Sequence, residues 1–228
     1  MFKRTAFKNP SLANLPCYDP RKSRERSLTN IILKKLVAGS LHGFRKAGKT
    51  LVVTEYEVTG HGLPDVLMAR KVKNVGNWER GELYEIVKSS AKARETLERM
   101  EVHNKARGDG QRGGGVAKKG RAVPKAELCA FEIKIKDIGR AIKQANRYLD
   151  FADKSVIVVP KDYADYLLKN GVLKVIDATG IGLVAVDEKN GSVKLVRKPR
   201  AIGPKNLEAN LRAKAGLILK IRFKTGKG

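Results

Sequence analysis

The sequence predicts an α/β fold with a central mixed β-sheet and helices on both faces. Three patterns carry that expectation. An alternating segment at 128–136 leads into a helical repeat reaching residue 152, and then into an apolar run at 155–159. Two strand patterns, at 51–58 and 65–70, flank a turn built from Gly60, His61, Gly62 and Pro64. A helical stripe precedes them at 23–37.

Each element has a local reason. Pro10, Pro16 and Pro20 among basic residues read as an extended arm over 1–22. Leu28, Ile31, Ile32 and Leu36 share one helical face, and Gly39 and Gly43 end that helix. The β-branched content of Leu51–Val58 predicts a strand, and Asp65–Arg70 returns as its hairpin partner. From Glu79 to about Val102 the apolar residues Leu83, Ile86, Val87, Leu97 and Met100 repeat at helical spacing. Residues 104–126 hold six glycines and almost nothing apolar, which predicts a flexible cationic loop.

In 128–136, Phe131, Ile133 and Ile135 point one way, and Ala130, Glu132 and Lys134 the other. Asp137 suits the cap of the next helix, in which Ala141, Ala145 and Leu149 form a stripe. Val156–Val159 suits a strand buried on both faces. A helix at 161–170, strands at 172–177, 181–187 and 192–197, and a helix near 204–215 complete the expectation. The layout is a basic arm at 1–22, an α/β domain at 23–198 with an insertion at 71–127, and a basic tail from 199.

The formal charge of +25 implies an anionic partner, most simply nucleic acid. That charge sits in three blocks. Residues 1–50 hold 12 basic and 2 acidic side chains, 102–126 hold 7 and 1, and 189–228 hold 12 and 1. The rest is near neutral. Counterion release gives such a surface affinity for phosphates without sequence preference. No apolar run reaches the roughly 18 residues that span a bilayer, and the N-terminus has no signal-type stretch. Cys17 and Cys129 lack partners at zinc spacing, which fits a reduced, cytoplasmic protein.

The chemistry lies in Pro64-Asp65 and Glu132-Ile133-Lys134. Alternation makes Glu132 and Lys134 project in parallel from one strand face. Two carboxylates, Asp65 and Glu132, with the carbonyl of Ile133, supply hard oxygen ligands for Mg²⁺ or Mn²⁺. Lys134 would orient or deprotonate the attacking water and offset phosphate charge. The alternative for Glu132 and Lys134 is a solvent-facing pair on an edge strand. For Asp65 it is a turn or cap residue.

In this order the residues resemble the PD-(D/E)XK nuclease superfamily, the restriction-endonuclease-like fold. Pro64-Asp65 matches its first motif and Glu132-Ile133-Lys134 its second; Gln144 and Tyr148 look like the Gln-x₃-Tyr element of some branches. Glu25 is similar to the upstream acid of archaeal Holliday-junction resolvases, the branch nearest in motif order. The resemblance implies Mg²⁺-dependent hydrolysis leaving a 5′-phosphate, with Glu25 and Gln144 assisting. The resolvase branch further implies a homodimer acting on branched DNA. Unlike compact resolvases, the chain sets Asp65 and Glu132 apart by 67 residues, with an insertion expected beside the active site.

The expected phosphate contacts are Arg24, Arg26, Lys105, Arg107, Arg112, Lys118, Lys119, Arg121, Lys136 and Arg140. The competing reading is a non-catalytic nucleic-acid-binding protein of ribosomal or chromatin type. It needs the charge but not the acids.

Overall fold

The computed structural model describes residues 20–44, 50–73, 79–108 and 125–222. One six-stranded sheet runs in the order β1 (Leu51–Thr54), β2 (Val66–Lys73), β3 (Lys125–Ile133), β4 (Lys154–Pro160), β5 (Gly182–Asp187) and β6 (Ser192–Arg197). β3, β4 and β5 are parallel, and the remaining neighbours are antiparallel. The mixed sheet and its flanking helices match the fold class that the sequence predicts.

The helix α1 (Pro20–Ala38) covers one face. Proline suits its first position, where the missing amide costs no hydrogen bond. Gly39 ends it at φ 72°, and the bonds Gly39 N to Leu36 O and Ser40 N to Lys35 O close the last turn as a Schellman motif. Leu28, Ile32 and Leu36 pack with Phe44 onto Met68, Phe131, Val156 and Val184. On the opposite face lie α4 (Ile138–Tyr148) and α6 (Leu173–Thr179), with α5 (Lys161–Lys169) between β4 and β5 in the chain. The crossovers β3–α4–β4 and β4–α5–α6–β5 lead each strand to its parallel neighbour.

The last helix, α7 (Leu207–Arg222), buries two stripes. Ala209, Ala213 and Leu217 face the sheet, where they pack with Leu67, Ala69, Leu128 and Ala130. Leu211, Ala215 and Ile218 face α2 (Arg80–Lys88) and α3 (Ser90–Gly108), which form an outer layer. Small residues let α7 approach closely on both sides. The sequence-expected helix near 204–215 is thus longer, and it belongs to the core.

Four boundaries differ from expectation for local reasons. The first strand stops at Thr54 because Glu55 adopts φ 47°, although Tyr56 and Val58 beyond it are buried. The expected helix from Glu79 is two helices. Extended Ser89 interrupts it, and the Ser89 hydroxyl accepts the Lys92 amide as a cap for α3. That helix runs to Gly108, so 104–108 is not loop; 109–124 lies outside the described residues. The stretch at 172–177 is helical. Its apolar residues Leu173 and Ile176 bury at i,i+3, and Gly180 closes the helix at φ 71°.

The insertion also sits differently. It leaves β2 at Lys73 and returns at Lys125, whereas Asp65 and Glu132 lie at the other ends of these strands. Seven steps of about 3.4 Å put its roots about 24 Å from the acids, so they do not lie beside them.

One close contact fixes α7. A Cβ added at Gly216 would lie 1.7 Å from the Tyr56 hydroxyl, which bonds to Ala213 O. Alanine usually favours a helix by about 1 kcal/mol over glycine. Here Gly216→Ala should instead destabilise the fold by about 1–3 kcal/mol, the usual cost of overpacking. Urea denaturation should show that loss, and Tyr56→Phe in the same chain should recover part of it.

Candidate active site

The site forms where β2 begins and β3 ends. Register places Val66 opposite Phe131, which sets Asp65 against Glu132. Asp65 Oδ2 accepts the Ile133 amide at 2.7 Å. Glu132 is 1% exposed on a central strand, so it is not a solvent-facing edge residue. Lys134, just past the strand, donates its amide to Val158 O at 2.9 Å. Its ammonium reaches Glu132 Oε1 at 2.6 Å. The three motif side chains therefore converge.

A fourth group completes the arrangement. The Tyr148 hydroxyl donates to Glu132 Oε2 at 2.6 Å, and Leu63 O lies 3.0 Å from that hydroxyl. Both Glu132 oxygens are therefore held. Tyr148 arrives from the last turn of α4, which Asp137 starts by accepting the Arg140 amide from a left-handed φ of 61°. The β1–β2 loop folds onto the tyrosine ring. A Cβ on Gly62, at φ 116°, would sit 2.9 Å from Tyr148 Cε1, so only glycine lets the loop lie there.

The charges are incompletely balanced. Burial, then the Glu132 carboxylate, push the Asp65 carboxyl up to about 6 against the Ile133 amide and the Lys134 ammonium; Glu25 adds a smaller push. Burial works to lower the pKa of Lys134, but its bond to Glu132 and the charges of Glu132, Asp65 and Glu25 raise it overall. Burial first, then the bond to Glu132, lift the Tyr148 hydroxyl well above its ordinary value. Lys134 is thus a cation and Tyr148 a neutral donor.

These donors fit a hard divalent cation. Mg²⁺ is commonly held by one or two carboxylates, with water and substrate oxygens filling the remaining positions. Asp65 Oδ1 takes no hydrogen bond from the described residues, and the repulsion between two acids is what a cation would relieve. Among the described residues no group of three or more His, Cys, Asp or Glu could hold a metal ion, so such an ion would rely on this pair.

The other expected residues divide. Half-buried Glu25 on α1 is close enough for its charge to act on Asp65 and Lys134. Gln144, one turn before Tyr148, bonds to neither carboxylate, and its Oε1 is buried without a partner. Arg24 is committed to Glu188 at 2.7 Å and Asp162 at 3.5 Å, so it is a strut and not a free cation. Arg26, Lys136 and Arg140 are exposed. Lys105 and Arg107 belong to α3, but their side chains lie outside the described residues. Arg112, Lys118, Lys119 and Arg121 also fall outside them. No described helix is long and apolar enough to cross a membrane.

No family model matches the chain, and no curated protein or solved structure matches it either.

A carboxyl raised to about 6 favours folding below its ordinary value near 3.8, and that contribution is lost as pH rises through 6. At pH 8 the ionised Asp65 costs about 2–3 kcal/mol. Asparagine keeps an acceptor for the Ile133 amide without the charge. Asp65→Asn should therefore stabilise the protein at pH 8 and hardly at all at pH 4, measured by denaturant midpoints at the two values. Equal effects at both would contradict the electrostatic origin.

Proposed function

We propose that the protein is a metal-dependent DNA endonuclease that hydrolyses phosphodiester bonds, preferring branched DNA and acting as a homodimer. The observation that carries the catalytic reading is the convergence of Asp65, Glu132 and Lys134 at one point, through adjacent strands. The resemblance to PD-(D/E)XK nucleases supplies the DNA, branched-substrate and dimer components. The charge of +25 supports an anionic polymer as substrate.

The roles follow from the geometry. Asp65 and Glu132 would hold Mg²⁺, and the ion would supply Lewis acidity at the scissile phosphate. Tyr148 fixes the Glu132 carboxylate by occupying Oε2. Lys134, kept protonated by its acidic neighbours, orients the attacking water and offsets charge on the phosphoryl oxygens. Water adds to phosphorus and gives up a proton to bulk solvent, the bond to the 3′ oxygen breaks and that oxygen takes up a proton from solvent, and the products are a 3′-hydroxyl and a 5′-phosphate. Lys134 as a cation acts as a donor; it does not take the water's proton.

The test is incubation with labelled four-way junction, flap, linear duplex and single-stranded DNA, in Mg²⁺, Mn²⁺ or EDTA. Metal-dependent cutting of the junction should disappear in Glu132→Gln and Asp65→Asn. Tight binding of every substrate without cutting in any metal would leave the non-catalytic binder.

Tyr148→Phe separates positioning from ligation. It keeps both carboxylates and removes only the hydroxyl. Cleavage should fall about 10–100-fold, the usual cost of losing a group that orients a ligand. Part of that loss should be recovered at higher Mg²⁺, as single-turnover kinetics across a metal titration would show.

A further inference from the structure

Most of the described arginines are engaged. Arg24, Arg70, Arg94 and Arg197 pair with acids, and Arg200 and Arg212 bond to carbonyls. The outer face of α4 is different. Arg140, Lys143 and Arg147 follow at i, i+3 and i+7, all are exposed, and their side chains pair with no acid among the described residues. Three cations on one stripe repel one another, and no ion pair among the described residues offsets them.

The stripe leads into a cavity. Lys143, Gln144, Asn146, Arg147, Asp150 and Lys205 enclose an open volume of about 400 Å³. Its acid is already engaged, because Asp150 Oδ2 lies 3.4 Å from His61 Nδ1. Lys205 reaches Asn146 Oδ1 at 3.4 Å and retains other donors. The cavity is therefore cationic and adjoins the catalytic pair. Arg147 precedes Tyr148, whose hydroxyl holds Glu132, and His61 belongs to the loop that ends at Asp65.

We propose that Arg140, Lys143 and Arg147, continued by Lys205 across this cavity, form a track for the phosphates of a nucleic-acid strand running from the Asp65–Glu132 site. The assignment of that site as a phosphodiester hydrolase is the reading on which the track rests. Seven residues of helix rise about 10.5 Å. One strand of duplex carries a phosphate every 3.4 Å or so of axis, so the stripe spans about three phosphates. Backbone contacts of this kind fix register and carry no sequence information.

Binding measured in EDTA isolates the track from cleavage. Labelled single-stranded and duplex 20-mers would be titrated between about 50 and 200 mM salt, the range over which phosphate contacts dominate. The track variant Arg140→Ala/Lys143→Ala/Arg147→Ala would be compared with Lys169→Ala/Lys174→Ala/Lys194→Ala, three exposed lysines on α5, α6 and β6. The track variant should bind at least about tenfold more weakly, and its slope of log K against log salt should shrink by about 2–3. Lys143→Ala alone should shrink it by about one. The control should change by less than one.

Equal losses in both triple variants, or an unchanged slope in the track variant, would overturn the proposal. So would loss of binding to phosphatidylserine vesicles alone. A shrunken slope in a protein that never cuts would keep the track and remove the hydrolase. Metal-dependent cutting with an unchanged slope would do the reverse.

Discussion

Pairing of β2 with β3 in the register Val66 opposite Phe131 ties the core to the chemistry. On β3, Cys129, Phe131 and Ile133 face the α1 side, while Leu128 and Ala130 face α4 and α7. Glu132 continues that second set and meets Tyr148. A slip of one residue would exchange the faces, exposing an apolar row and driving Glu132 among Leu28, Ile32 and Phe44. Burial of apolar residues therefore specifies the register, and the register positions the acids. The Asp65–Ile133 bond pins the strands at the point where Asp65 meets Glu132.

Two acids on β3 show how environment separates structure from chemistry. Glu127, near one end, bonds to Arg70 and Lys154. Burial works against its ionisation, but these two partners outweigh it and lower its carboxyl to about 2. Such a group is satisfied and holds β2, β3 and β4 together. At the other end, Glu132 and Asp65 share a single lysine, and Asp65 rises to about 6. Neighbouring titratable groups with displaced pKa values mark a functional site when they also meet in one place. The incomplete compensation at Asp65 costs folding energy, and it creates the local negative potential that a cation would meet.

The fold was legible in the sequence because its central elements obey one period each. Alternation through Phe131–Ile135 and helical spacing through Ala141–Leu149 gave the strand, the helix and the parallel return. Asp65, Glu132 and Lys134 could be placed together because hairpin and strand order brought them there. Tyr148 was visible as a helix residue, but its bond to Glu132 depends on the loop that Gly62 permits. The helix at 173–179 escaped because seven residues with three β-branched members satisfy either period. The Ser89 break was written as Ser-Ser, a capping signal masked by apolar residues on both sides. Small residues in α7 carry little periodic signal, yet burial of its two stripes makes it a hub of the packing.

Counting charge along the chain says where cations concentrate and not which of them are paired. Segment sums put the cations in the ends and the glycine-rich stretch, and left 129–188 near neutral. A surface does not read sums. Within that neutral segment acids are drawn off, Asp162 by Arg24, Asp177 by Arg197 and Asp187 by Lys161, whereas the cations of α4 pair with no acid among the described residues. The insertion, in contrast, is rooted at the far end of β2 and β3, and α2 and α3 pack against α7. Under the proposed reading, local pairing and strand direction make α4 well placed to present cations to a polymer at Asp65 and Glu132. On the proposed reading one helix then serves two purposes: Tyr148 steadies Glu132 from within, and the exposed stripe would offer positive charge to phosphates.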